Sequence, residues 1–450
     1  MNVLVFYNST QTYTNAVFEH INCFAKYSKH DFFFCHSDQY QQTDIDLSRF
    51  DAVIVHFSIR LPYDQVSESL AQRLVEYKGL KALFIQDEYD HTHRSWHWIN
   101  RLGIALVFTV VPTLGISRVY PTDVFPNTRF VSSLTGYVPE SIPAIANLMP
   151  PSQRNLMIGY RGRPLPVRYG QLGFEKVAVG RLVKSYCDER GISNDISWTE
   201  ESRIYGDAWY QFMATCKSML GSESGSNVFD WDGKLVPKVV AFQKANSRLS
   251  DAAVYSQVVE PHESPGLMNQ VSPRVFEAIA LRTALVMFDG NYSGVLRPHE
   301  HFLPLRKDGS NLDEVFSRLK DGKYVDEMTD RAYLHVIESR AYSYKSFVEM
   351  VDAELEKSAR NTTNEIWWPG KVVAGHEVGV SDSAKHTNEF DTYQFSPALL
   401  SLRPLRAAPP LVFSVQNWLS GSTAYFLWSC VPASLRNKLR PWVRRVLRKG

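Results

Sequence analysis

Apolar runs and amphipathic stretches alternate along the first 140 residues. Val3–Tyr7, Phe32–His36, Ala52–Phe57, Ala82–Gln86 and Ala105–Val111 read as strands, because each is a short apolar or β-branched run. Between them, Tyr13–Tyr27, Gln65–Tyr77 and Thr92–Leu102 carry helical periodicity. Alternation of this kind predicts a parallel sheet with helices on both faces.

A Pro-punctuated stretch from Gly136 to Ser152 predicts a link, and the alternation restarts behind it. Strands are expected at Leu156–Tyr160, Ile196–Thr199, Lys217–Gly221, Thr283–Phe288 and His301–Leu305. Helices are expected at Phe174–Arg190, Ile204–Met213, Val236–Lys244, from Pro273 to about Leu281, at Asn311–Leu319, and as one long segment over Arg331–Leu355. The Pro273 helix stands out. Ser272 suits its N-cap and Pro273 its first position, while Arg274 and Glu277 are its only polar groups and share one face. A helix so apolar that keeps an Arg and a Glu together predicts that they face a cleft. The fold class expected is α/β, two Rossmann-like domains over residues 1–140 and 152–358. A linker over 361–410 and a basic amphipathic tail over 411–450 follow.

Charge is unevenly spread. Nine of the 49 basic residues follow Asp391, where no acidic residue occurs, which leaves 40 basic against 47 acidic residues and a net of −7 for the rest. An acidic body argues against nucleic acid as a partner. The tail suits contact with an anionic membrane surface, with a helix packed on the acidic body as the alternative. Five cysteines without CxxC spacing argue against a disulfide framework or zinc site and fit a reducing compartment. The N-terminal apolar run is too short for a signal peptide, so the expected location is cytoplasmic, peripheral at the inner face of the membrane. The fingerprint GxGxxG is absent after the first strand, which weakens a dehydrogenase reading.

The stretch from Arg274 to Phe288, with Tyr292–Leu296, His301–Leu305 and Asp308–Val315 after it, resembles the C-terminal domain of GT-B glycosyltransferases of the group 1 and spore-maturation-like branches. The resemblance implies GT-B architecture, a nucleotide-sugar donor bound between the domains, and donor ribose held by Glu277. It also implies that no metal or other cofactor is needed. Two departures stand in the motif. Asn269 occupies the place of a second Glu, and Arg282 that of a small residue.

Such chemistry requires cations for a diphosphate, groups for a sugar, and a base for an acceptor hydroxyl. Arg161 and Arg163 follow the first strand of the second domain, with Arg168 and Lys176 downstream, and Arg274 opens the motif helix. Gly225 and Ser226 lie in a Gly/Ser loop suited to close approach of a ligand. Asp87, Glu88 and His91 end the fourth strand and are the candidate bases, with His56 as a second choice; His91 and His93 also have a spacing seen in metal ligands. A turn with acidic residues is the expected reading of Asp230–Gly233, with chelation of a cation as the alternative. The expected activity is sugar transfer to a glycan or lipid-linked acceptor. A non-catalytic carbohydrate-binding protein and a nucleotide-sugar epimerase are the alternatives.

Overall fold

The computed structural model describes residues 1–8, 15–40, 43, 45–143, 145 and 148–362. The predicted linker, beyond its first two residues, and the tail over 411–450 lie outside the described residues.

In chain order the first lobe comprises β1 (Asn2–Tyr7), α1 (Asn15–Tyr27), β2 (Asp31–His36), β3 (Ala52–Val55), α2 (Glu68–Glu76), β4 (Leu80–Ile85), α3 (Thr92–Leu102), β5 (Leu106–Thr109), α4 (Ile116–Val119) and β6 (Arg129–Ser132). The second continues with β7 (Leu156–Arg161), α5 (Gly170–Glu189), β8 (Asn194–Ser197), α6 (Asp207–Thr215), β9 (Cys216–Gly221), α7 (Leu235–Ala245) and α8 (Asp251–Val254). It ends with α9 (Pro273–Ala280), β10 (Ala284–Phe288), β11 (Leu303–Leu305), α10 (Leu312–Lys320) and α11 (Gly322–Tyr333). A final helix, α12, spans Tyr344–Thr362.

Both sheets are wholly parallel, ordered β2-β1-β3-β4-β5-β6 and β11-β10-β9-β7-β8. The two orders share one logic: the lobe's first strand lies between its second and third. Each sheet therefore reverses direction of winding beside its first strand, and the crevice at the carboxyl ends there is the natural ligand position. Apolar clusters cover both faces of each sheet, as near-continuous Val/Ile/Leu/Phe strands require. Arg154 ties the connecting segment to the second sheet through the carbonyls of Met149, Cys216 and Leu281 and the hydroxyl of Thr283.

Two of the differences from expectation bear on the architecture; α4, α8 and most of α11 were also not foreseen. β6 was not foreseen, because a half-exposed edge strand carries no apolar run. The long helix expected over Arg331–Leu355 is broken: Arg340 adopts a left-handed conformation (φ 58°), and Tyr342 instead accepts a hydrogen bond from Val138 in the connecting segment. From that break α12 crosses to the first lobe. Phe347, Val348, Val351 and Leu355 enter the core shared with α1 and the first sheet, and Asp352 accepts from Ser28 and the Lys29 amide. The predicted 152–358 domain thus gives its last helix to the other lobe.

Candidate functional site

The carboxyl ends of the two sheets meet across a seam. The Arg168 guanidinium pairs with the buried Asp90 carboxylate, which also accepts from the Tyr63 hydroxyl at 2.7 Å. The Asp230 amide donates to the Tyr89 carbonyl at 2.8 Å, and the His93 amide to the Trp231 carbonyl at 2.8 Å. Gln270 reaches the Val110 carbonyl, and Thr135 donates to the Val271 carbonyl.

On the second-lobe side a pocket opens at the switch point between β7 and β9. Tyr160, Lys176, Trp209, Ser222, Ser272 and Arg274 line it. Ser272 stands at the N-cap of α9 as expected, yet its side chain makes no capping bond; the Val275 amide donates to its carbonyl at 3.0 Å instead. Lys176 projects from α5, half-buried, and its ammonium donates to the Glu223 carbonyl at 2.7 Å and the Ser224 hydroxyl at 2.9 Å. Burial first, and then the Arg274 guanidinium, pushes its pKa down to about 7. Arg274 lies over the Trp209 ring at 5.1 Å and donates to the Arg161 carbonyl at 2.6 Å. Glu277, one turn along α9, accepts from the Trp209 indole N–H at 2.8 Å. Burial raises its carboxyl pKa, opposed by Trp209 and Arg274. Lys176 of α5 and Arg274 of α9 therefore line one pocket from helices far apart in sequence, and Glu277 stands beside Arg274 on α9.

Other candidates fall elsewhere. The Arg161 guanidinium does not face the cleft. It pairs with Asp195 at 2.8 Å and donates to the carbonyls of Ser202, Tyr160 and Asp195, so it holds β8 in place. Arg163, two residues on, is exposed and makes no hydrogen bond or ion pair among the described residues. Gly225 serves a close approach within the lobe: at φ 92°, an added Cβ would stand 2.1 Å from the Met268 carbonyl oxygen. Ser226 is buried and bonds to Tyr169 and Val228, bracing the same loop rather than offering its hydroxyl to a ligand.

The carboxylates after β4 separate by burial. Glu88 is sealed, accepting from the Thr109 hydroxyl and the Val110 amide at 3.2 Å, and burial pushes its pKa up to about 8. It cannot meet an acceptor. Asp87 is half-exposed on a left-handed residue (φ 58°), accepts from Tyr89 and Arg60, and lies near Tyr169 of the second lobe. His91 is also left-handed and packs edge-on to Tyr63 and against Gly233. His56 is wholly buried, bonded to Ser58 and His20, and held neutral by burial. Asp230 caps α7 through the Leu235 and Val236 amides. Among the described residues no three His, Cys, Asp or Glu side chains come together as metal ligands.

Sequence reasoning missed Trp209 and Glu223. Glu223 is buried, accepts from the Asn291 and Tyr292 amides at 3.1 and 2.9 Å, and also takes a bond from Asn269. Asn269, at the place of the second Glu of the motif, is thus held by a carboxylate from the neighbouring loop. Glu223 lies in the Gly/Ser loop already singled out, but its partners at Asn291 and Tyr292 are remote, and Trp209 sits in no short-range pattern.

No known family and no curated protein matches the chain. Among solved structures, TarM matches at 13% identity with a TM-score of 0.36, over 69% of this chain and 55% of its own, so the chain spans about half the length of TarM. Anabaena HepE, solved with UDP and glucose, matches at 9% identity and a TM-score of 0.45, over 79% of this chain and 100% of its own. The T4 phage protein BGT, solved with its UDP-glucose substrate, gives 10% and 0.43, over 80% and 99%. At these values the likeness carries no weight for activity. The chain is a two-lobed α/β protein with two parallel sheets, and its second lobe holds a pocket lined by Lys176 and Arg274.

Proposed function

We propose that the protein is a glycosyltransferase that moves a sugar from a nucleotide-sugar donor to a glycan or lipid-linked acceptor. One observation supports this most: Lys176 and Arg274 converge on a pocket at the switch point of the second sheet, with Glu277 beside them. Two cations there suit a diphosphate, whose charge grows as the bond from the anomeric carbon to phosphate oxygen breaks. Glu277, already oriented by Trp209, suits the paired hydroxyls of a ribose. Arg163 is exposed just beyond the end of β7 and would join the clamp.

Across the seam, Asp87 is the first-lobe carboxylate open enough to take the acceptor proton as the new carbon–oxygen bond forms. Its bonds to Tyr89 and Arg60 hold it in position. The proposal requires no metal, since the leaving diphosphate is met by Lys176 and Arg274.

Incubation of the full-length protein with a panel of nucleotide sugars, with and without lipid and glycan extracts, tests the proposal. Acceptor-dependent release of nucleoside diphosphate is expected, and it should be lost in Arg274→Ala and Glu277→Ala. Binding without turnover would leave a carbohydrate-binding protein; release without an acceptor would point to another nucleotide-sugar enzyme.

A further inference from the structure

On the second lobe, α7 has an apolar outer face that no other described segment covers. Its inner side buries Leu235 and Val239 against Val254, Tyr255, Val258 and Val259. The outer side turns Pro237, Ala241 and Ala245 to solvent together with Val240, which is 44% exposed, and Leu249 just beyond is 39% exposed. Along the chain from 233 to 250 the charge has one sign, with Asp232 and Asp251 at the two ends and Asp251 accepting from Gln243 of α7. No acidic residue occurs between Asp232 and Asp251, whereas Lys234, Lys238, Lys244 and Arg248 all do. Lys234 pairs with Asp232 at 2.7 Å. Lys238, Lys244 and Arg248 have no side-chain hydrogen bond or ion pair among the described residues. In a body that is otherwise net acidic, this is a local reversal.

We propose that α7 and the turn after it dock on an anionic lipid bilayer. Exposed aliphatic groups flanked by free cations suit the headgroup boundary, where the chains enter apolar surroundings and the cations remain among lipid phosphates. Nucleic acid fits less well. Its phosphates would be met by the cations, but Val240 and Leu249 would gain nothing, and among the described residues the outer face presents no aromatic ring for a base to stack on, Phe242 packing on the inner cluster. The location adds a consequence. Gly233, one residue before Lys234, packs against His91 of the first lobe, so α7 starts at the seam. Docking there would bring the seam beside His91 close to the bilayer surface.

Full-length protein is sedimented with vesicles of phosphatidylcholine alone or mixed with phosphatidylglycerol, at moderate salt. Wild type should partition onto the anionic vesicles only. A Lys238→Glu/Lys244→Glu variant should lose about tenfold or more in partitioning. A Val240→Gln/Leu249→Gln variant should lose several-fold, with both variants keeping the wild-type melting temperature. The same proteins are titrated with duplex RNA. Charge reversal that weakens RNA binding, together with no effect of the Gln pair on vesicles, would overturn the proposal in favour of nucleic acid. Wild type that ignores anionic vesicles, or either variant binding them as wild type does, would also overturn it.

Discussion

The Arg168 guanidinium and the Asp90 carboxylate form an ion pair across the seam, with Arg168 from the second lobe and Asp90 from the first. Asp90 is 5% exposed and Arg168 21%, so the pair is well shielded, and the Tyr63 hydroxyl takes a further position on the carboxylate. Truncating one partner strands the other's charge, which is costlier than losing the attraction itself. Arg168→Ala should cost about 2–4 kcal/mol, and Asp90→Asn less, because the amide can still accept from Tyr63. Thermal unfolding reads the cost. Small-angle scattering should show a wider lobe separation in Arg168→Ala, and unchanged dimensions would mean that other seam contacts dominate.

Donor binding should weaken as the solution becomes more alkaline. Lys176 has its pKa lowered to about 7 by burial and by Arg274. A bound diphosphate favours the ammonium, so above pH 7 the complex must take up a proton that the free protein lacks. Affinity for a nucleoside diphosphate should fall by up to about tenfold per pH unit between 7 and 9. Lys176→Met should bind more weakly at pH 7 and show a flatter profile. Calorimetric titration across that range checks both slopes.

Trp209 orients Glu277 without needing to touch the reacting atoms. Trp209→Phe keeps the ring beneath Arg274 but removes the N–H that holds the carboxylate at 2.8 Å. A loss of about 1.5–3 kcal/mol, roughly 10- to 100-fold in kcat/KM, is expected, carried mainly by KM for the donor. Glu277→Ala should lose more. Steady-state kinetics separates the two, and an unaffected Trp209→Phe would remove the indole from the site.

Glu88 makes a separate statement about stability. Its folded pKa, pushed up to about 8 by burial, exceeds the unfolded value near 4.5. Between those values the folded state holds more protons, so this group's contribution is full at low pH and is lost as pH rises toward 8. Glu88→Gln cannot ionise. Relative to wild type it should gain roughly 1–3 kcal/mol by pH 9 and little or nothing at pH 5. Denaturant midpoints at the two pH values decide it, and equal differences at both would show that Glu88 does not titrate in this range.

Most of the two sheets was readable from the chain, because buried parallel strands are continuous apolar runs and the helices between them have a strong period. β6 escaped, since an edge strand with partly exposed residues looks like loop. The break at Arg340 escaped as well. It is set by Val138, some 200 residues earlier, and helical periodicity continues on both sides of it. At the site, Arg274 and Glu277 were legible as the only polar pair on an apolar helix, and Lys176 by its position after β7. Arg161 and Ser226 had suitable residue types at suitable strand ends. What disqualified them were partners such as Asp195 and Tyr169, which only the folded chain supplies. Trp209 and Glu223 act through residues about 68 positions away, partners that no local pattern names.

Because α12 returns to the starting lobe, neither half of the described body is an independent piece of gene. A fragment stopping at residue 140 would bare the aromatic and aliphatic floor on which Phe347, Val348, Val351 and Leu355 rest. A fragment beginning at residue 152 would carry that helix with nowhere to put it. Dissecting donor from acceptor recognition in this protein therefore calls for point substitutions at the seam, with the strap left whole.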